Sequence, residues 1–153
     1  MTSNRDLESL IDIDYYGRSI TSFVSGESYS YSKLSDISIL ANFTNLTELD
    51  LGQNSITDLI PLAALTELRV LDLSDNPITD LSPLSTLKNL TDLQLDGLHL
   101  TDETDFSPLL ALTQLQSLDL SRNWIGDRSL ETIAKLTTLE RLNISYNHIR
   151  HLQ

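Results

Sequence analysis

Leu46-Thr-Glu-Leu49-Asp-Leu51-Gly-Gln-Asn54-Ser-Ile56 returns 22 residues later as Leu68-Arg-Val-Leu71-Asp-Leu73-Ser-Asp-Asn76-Pro-Ile78, and both read L-x-x-L-x-L-x-x-N-x-I. The pattern comes back from Leu115, ending Asn123-Trp124-Ile125, and from Leu139, ending Asn147-His148-Ile149. A fifth copy starts at Leu90 and carries Leu98 where the others have asparagine. Apolar residues at positions 1, 4, 6 and 11 cannot be buried inside so short a unit. Stacked neighbours must cover them, and a continuous core then runs along the stack.

The pattern resembles the leucine-rich repeat, and the resemblance implies an α/β solenoid. Each unit would give one strand to a curved parallel β-sheet on the concave side, with 3₁₀ turns or short helices on the convex side. The second halves of the units refine this. Ile56-Thr-Asp-Leu59-Ile-Pro61-Leu62-Ala-Ala-Leu65 matches Ile78-Thr-Asp-Leu81-Ser-Pro83-Leu84-Ser-Thr-Leu87, and Leu34 to Phe43 follows them with Ile39 in place of proline. Such 22-residue units are similar to those of bacterial internalins and of a leucine-rich regulatory subunit of protein phosphatase 1. Proline removes a backbone donor and disfavours a full helix, so the convex side is expected to be 3₁₀ turns. The unit from Leu90 has 25 residues, and its segment Asp102-Glu-Thr-Asp105 is expected to bulge there. In the 24-residue unit from Leu115, a short helix is expected with Asp127 as cap and Leu130, Ile133 and Ala134 on one face.

Strands are expected near Glu48, Val70, Asp92, Ser117 and Arg141, each with its flanking leucine pair buried. Where the chain leaves each strand, backbone groups lose their ladder partners. An amide that both donates and accepts can replace them, so Asn54, Asn76, Asn123 and Asn147 predict an asparagine ladder that Leu98 interrupts.

One domain over 1–153 is expected. It divides into 1–23, an N-terminal cap or degenerate repeat; 24–45, a degenerate repeat; repeats 46–67, 68–89, 90–114 and 115–138; and a partial repeat 139–153. Leu10 to Tyr15 alternates like a strand, Tyr16-Gly17 offers a turn, and Arg18 to Val24 can run back or forward as a second strand. Val24 to Lys33 takes the place of a strand, with only Tyr29 and Tyr31 able to stand in for leucine. The sequence stops at Leu152-Gln153 without a polar cap, which predicts a longer natural chain or an end covered by something else, such as a second copy in a homodimer. No apolar run nears 18 residues and no signal segment opens the chain, so neither membrane insertion nor secretion is expected. The absence of cysteine places it more readily in a reducing cytoplasm. The sequons at Asn42, Asn45, Asn89 and Asn143 arise from the repeat itself.

Catalytic signals are missing. Three histidines, no cysteine and five scattered glycines leave no phosphate-cradling loop, thiol nucleophile or H-E-x-x-H site, so no enzyme, cofactor or metal is expected. His148 and His151 read as exposed residues of an open end rather than a metal pair. Asp72 with Asp75, or Asp92 with Asp96, lacks the wrapping loop that calcium needs.

What remains is a surface. Alternation puts positions 3 and 5 on the concave face: Glu48, Val70, Asp92, Ser117 and Arg141 at position 3, and Asp50, Asp72, Gln94, Asp119 and Asn143 at position 5. An aspartate at position 5 either keeps an exposed sheet soluble or contacts a partner. Leu46 to Gln114 carries 12 acidic and 2 basic residues, a net of −10, whereas Leu115 to Gln153 carries 4 and 5, a net of +1. Such a field attracts a basic protein and repels nucleic acid, with Glu48, Asp50, Asp72, Asp75, Asp92 and Asp96 as acceptors. On the rim, His99, Trp124, His148, Arg122 and Tyr146 are expected to form one patch. Trp124 is either an interface anchor or packing over the sheet edge. The residues point to a protein-interaction scaffold. The resemblance adds a phosphatase catalytic subunit, or a host or cell-surface protein, as possible partners, and a structural module of a larger protein as the alternative.

Overall fold

The computed structural model describes residues 12–13, 19–21 and 33–150. Each repeat from Leu46 onward, the partial last one included, opens with a three-residue strand: β3 (Glu48–Asp50), β4 (Val70–Asp72), β5 (Asp92–Gln94), β6 (Ser117–Asp119) and β7 (Arg141–Asn143). They pair in parallel and in register, aligning Glu48, Val70, Asp92, Ser117 and Arg141 in one row and Leu49, Leu71, Leu93, Leu118 and Leu142 in the next. The leucine pairs of β3 to β6 are buried, as the repeat predicts. Each fully buried leucine stabilises the stack by about 1.5–3 kcal/mol relative to an exposed one. The last pair departs from the expectation. Leu142 is 42% exposed and Ile144 is half-buried, because no described strand lies beyond β7 to cover them.

Two strands precede β3. β1 (Asp12–Ile13) lies antiparallel to β2 (Ser19–Thr21), so the chain runs back, and β2 pairs in parallel with β3. The place beside β3 therefore belongs to Ser19–Thr21 and not to Val24–Lys33. The Tyr16-Gly17 turn, Tyr29, Tyr31, His151 and Leu152-Gln153 lie outside the described residues.

On the convex side four 3₁₀ helices, Ser38–Asn42, Ile60–Ala64, Ser82–Thr86 and Ser107–Ala111, each bury one leucine. The first lacks proline yet has the same form. What the four share is an aspartate two residues before the first helical residue, whose carboxylate accepts that residue's backbone N–H: Asp36 from Ser38, Asp58 from Ile60, Asp80 from Ser82 and Asp105 from Ser107. These Asx turns start the helix, and proline is not required for its five-residue length.

The helix of the fourth full unit, α1 (Asp127–Ile133), corrects the expected cap. Gly126 is the N-cap residue, and the capping carboxylate comes from the preceding unit. Asp102 Oδ1 accepts the N–H groups of Gly126 and Ser129, both at 3.0 Å, and the Ser129 hydroxyl at 2.7 Å. An added Cβ at Gly126 would sit 2.3 Å from Asp102 Oδ2, so the approach requires glycine. Asp127 instead accepts the Arg150 N–H. The inward residues are Ser129, Leu130 and Ile133; Ala134 is exposed.

Candidate protein-binding surface

The turn leaving each strand is the first device that shapes the surface. Position 8 is left-handed in all five units from Leu46 onward: Gln53, Asp75, Gly97, Arg122 and Tyr146 have φ between +53° and +68°. Only one is glycine, so tertiary contacts must hold the other four in a costly conformation. The asparagine ladder supplies them. Asn76 Oδ1 accepts the Ile56 N–H of the preceding unit while its Nδ2 donates to the carbonyls of Leu51, Leu73 and Ser74. Asn54 accepts from Leu34, and Asn147 from Ile125. Asn123 accepts from both Leu98 and Leu100. In that third unit, where Leu98 is buried in place of an amide, His99 also becomes left-handed at φ 63°.

Position 5 is engaged by the same turns. Asp50 accepts the Gly52 N–H, Asp72 the N–H and hydroxyl of Ser74, and Asp119 the Ser121 N–H, each through one oxygen. Asp119 also accepts from Asn143 through its second oxygen. These half-buried aspartates thus have a local structural duty, which neither reading of position 5, solubility or partner contact, includes. The second oxygens of Asp50 and Asp72 are not used by the turns.

The acids and bases expected to face a partner are partly paired with each other. Arg122 spans three units, its Nη2 3.0 Å from Asp75 Oδ2 and also bonded to Asp96 Oδ2. The two carboxylates, Asp96 first, raise the guanidinium above its ordinary pKa. Gly97 lies between them: a Cβ there would meet Asp75 Oδ1 at 2.2 Å and Arg122 Nη2 at 3.3 Å, so this glycine opens the path for the ion pairs. Arg141 lies 4.0 Å from Asp92. Glu48, by contrast, is exposed at the β3 end, far along the sheet from Arg122 and Arg141. Among the described residues, Glu48 of β3 and Asp50 and Asp72 of β3 and β4 are therefore outside the ion pairs that take up Asp75, Asp92 and Asp96.

The expected rim patch divides. His99 and Trp124 stack with ring centroids 4.7 Å apart at 44°, and Trp124 and His148 line one shallow groove. Trp124 is 52% exposed, with His99 against its ring, and Tyr146 is 83% exposed. Arg122 turns away from the stack to its carboxylates and shares a second groove with His99, Gln53 and Pro77. Among the described residues no three His, Cys, Asp or Glu side chains are grouped to hold a metal, and no helix is long and apolar enough to cross a membrane.

Comparison with known proteins agrees with this geometry. Models of leucine-rich repeats match residues 66–110, as two copies, and 44–60, 111–134 and 135–150. Internalin C2 of Listeria monocytogenes is similar in structure at 36% identity and a TM-score of 0.70, over 78% of this chain and 51% of that one. Internalin F of the same organism is 35% identical with a TM-score of 0.58, over 80% and 42%. A leucine-rich repeat protein of Leptospira interrogans is 29% identical with a TM-score of 0.67, over 79% and 30%. The chain thus spans about half or less of the length of these relatives. A search of curated proteins finds no match. With its in-register strands, its asparagine ladder and family models covering more than half of its length, the chain belongs to the leucine-rich repeat family.

Proposed function

We propose that this chain is a non-enzymatic protein-binding solenoid, cytoplasmic in keeping with its lack of cysteine, whose β3–β4 end takes up a basic segment of a partner. Leucine-rich repeat proteins act broadly as interaction scaffolds, and a concave sheet of outward side chains is the surface such a stack offers. The observation that carries the basic-partner reading is an asymmetry in pairing. Arg122 and Arg141 pair with Asp75, Asp96 and Asp92, while Glu48 is exposed and Asp50 and Asp72 each keep a carboxylate oxygen outside their turns, which makes an acidic strip over β3 and β4. The same field opposes nucleic acid. The exposed Trp124 on the rim adds an aromatic anchor suited to a lysine or arginine side chain.

A twelve-residue peptide of alternating lysine and serine tests this, with an alternating glutamate and serine peptide as control. Saturable binding of the first, weakening as salt rises, is the expected result, since exposed charges are screened over roughly 8 Å at physiological ionic strength. Equal binding of both peptides, or of neither, rejects the basic-partner reading.

A further inference from the structure

The acidic strip has an apolar residue at its centre. Of the ten outward residues at positions 3 and 5 of β3 to β7, nine are polar or charged and the tenth is Val70. Valine suits a strand, but threonine suits it as well and would leave no such apolar surface on the face. The sheet register sets the half-buried Val70 between Glu48 and Asp92 in one row and places Asp50 beside Asp72 in the next. Glu48 is exposed, and Asp50 and Asp72 each use one carboxylate oxygen in their turns and leave the other outside them. The cations beside this field are Arg69, exposed one residue before Val70, and Arg141, 4.0 Å from Asp92.

We infer that the partner segment is an α-helix that lies across β3 to β5, seats one apolar side chain on Val70 and carries a lysine or arginine one turn to either side. The inference rests on the basic-partner reading above and names the form that partner takes. Charge complementarity sets the flanks: one base meets Glu48 and the second oxygen of Asp50, and the other meets Asp92 and the second oxygen of Asp72. Spacing and backbone chemistry select the helix. Neighbouring rows are about 4.8 Å apart. In a helix, residues three before and four after the anchor share its face and sit about 4.5 and 6.0 Å from it along the axis, within about 1 Å of the flanking rows. Same-face side chains of an extended segment are about 6.7 Å apart, so both of its bases overshoot by about 2 Å. Laid on the face of a sheet, that segment also finds no ladder for its N–H and carbonyl groups, whereas a helix pairs them internally.

The test titrates the whole chain with three synthetic peptides. The first carries Lys-x-x-Leu-x-x-x-Lys in a helix-forming frame of alanine and glutamine, the second has serine in place of that leucine, and the third carries Lys-x-Leu-x-Lys in a serine frame. The first should bind about tenfold more tightly than either of the others, as for partial burial of one leucine side chain. Val70→Thr keeps the β-branched shape at an outward position and should bring the first peptide down to the level of the second. Equal affinity for the leucine and serine peptides overturns the inference on the unaltered chain, whatever the variant does. So does binding of the serine-frame peptide as tight as the first, or a leucine advantage that a folded Val70→Thr chain retains. The alternating lysine and serine peptide tells the two readings apart. If it binds and leucine confers no advantage, the helix alone is rejected; if it does not bind, the basic-partner reading beneath it fails too.

Discussion

Four asparagine side chains carry the turns of this stack, and their value comes from burial as much as from bond count. Asn76 is 2% exposed and makes four backbone hydrogen bonds, one of them to the Ile56 N–H and one to the Leu51 carbonyl of the preceding unit. Asn76→Ala should destabilise the fold by about 1–3 kcal/mol in chemical denaturation, because buried polar groups lose their partners and water cannot replace them. Position 98 makes the complementary case. A leucine has no oxygen for the Ile78 N–H, the group equivalent to those that Asn76, Asn123 and Asn147 satisfy at Ile56, Leu100 and Ile125. Leu98→Asn should restore that bond and offset part of the lost burial, whereas Leu73→Asn puts the same amide where no such groups wait. The first should therefore be less destabilising by about 1 kcal/mol, the net worth of one hydrogen bond. Equal losses at the two sites would contradict the assignment of Leu98 to the ladder position.

At the scale of elements, the three-residue insertion in the unit from Leu90 divides one task between two aspartates. In the 22-residue units a single Thr-Asp pair precedes the 3₁₀ helix; here Thr101-Asp102 and Thr104-Asp105 stand in tandem. Asp105 starts the 3₁₀ helix, which frees Asp102 to cap α1 of the following unit. Asp102→Ala should cost about 1 kcal/mol and speed amide exchange within Asp127–Ile133, while Asp105→Ala should leave exchange there unchanged. The Asp102 carboxyl titrates below its ordinary value, held there first by the Ser129 hydroxyl and then by the N–H groups around it. A folded pKa below the unfolded one means that this stability is fully present above the ordinary value near 3.8 and is lost as pH falls through the lower folded value. Ser129→Ala should move the Asp102 titration upward, as read by carboxyl NMR. The strands, the 3₁₀ turns and the presence of a helix were legible in the sequence because apolar spacing and turn chemistry are local. The cap was misassigned to Asp127 because a local pattern has no access to a carboxylate 27 residues from its serine. The strand before β3 was misplaced because the 22-residue period fails at that end, where Ser19–Thr21 takes the position.

For the whole molecule, the same limit governs the surface. Counting charges along the chain revealed that Leu46 to Gln114 is acidic, and the repeat correctly placed Glu48, Asp50 and Asp72 on one face. It did not reveal that Arg122 would reach over Gly97 to a carboxylate 47 residues away and withdraw Asp75 and Asp96 from a uniform field. Exposed ion pairs of this kind contribute little to stability, about 0–1 kcal/mol each, so their chief consequence is the shape of the potential. Steering should then come from the β3–β4 end and residence from the rim, and kinetics can separate them. With the alternating lysine and serine peptide, Glu48→Lys should lower the association rate with little change in dissociation, and its effect should fade at high salt, because exposed charge acts on encounter. Glu48 is suited to this because it starts none of the Asx turns that Asp50 and Asp72 hold together. Trp124→Ala should instead speed dissociation about fivefold, near the 1 kcal/mol of an exposed cation–π contact, and leave association almost unchanged. If both variants stay folded and neither rate responds, the concave strip and its rim are not where a basic partner binds.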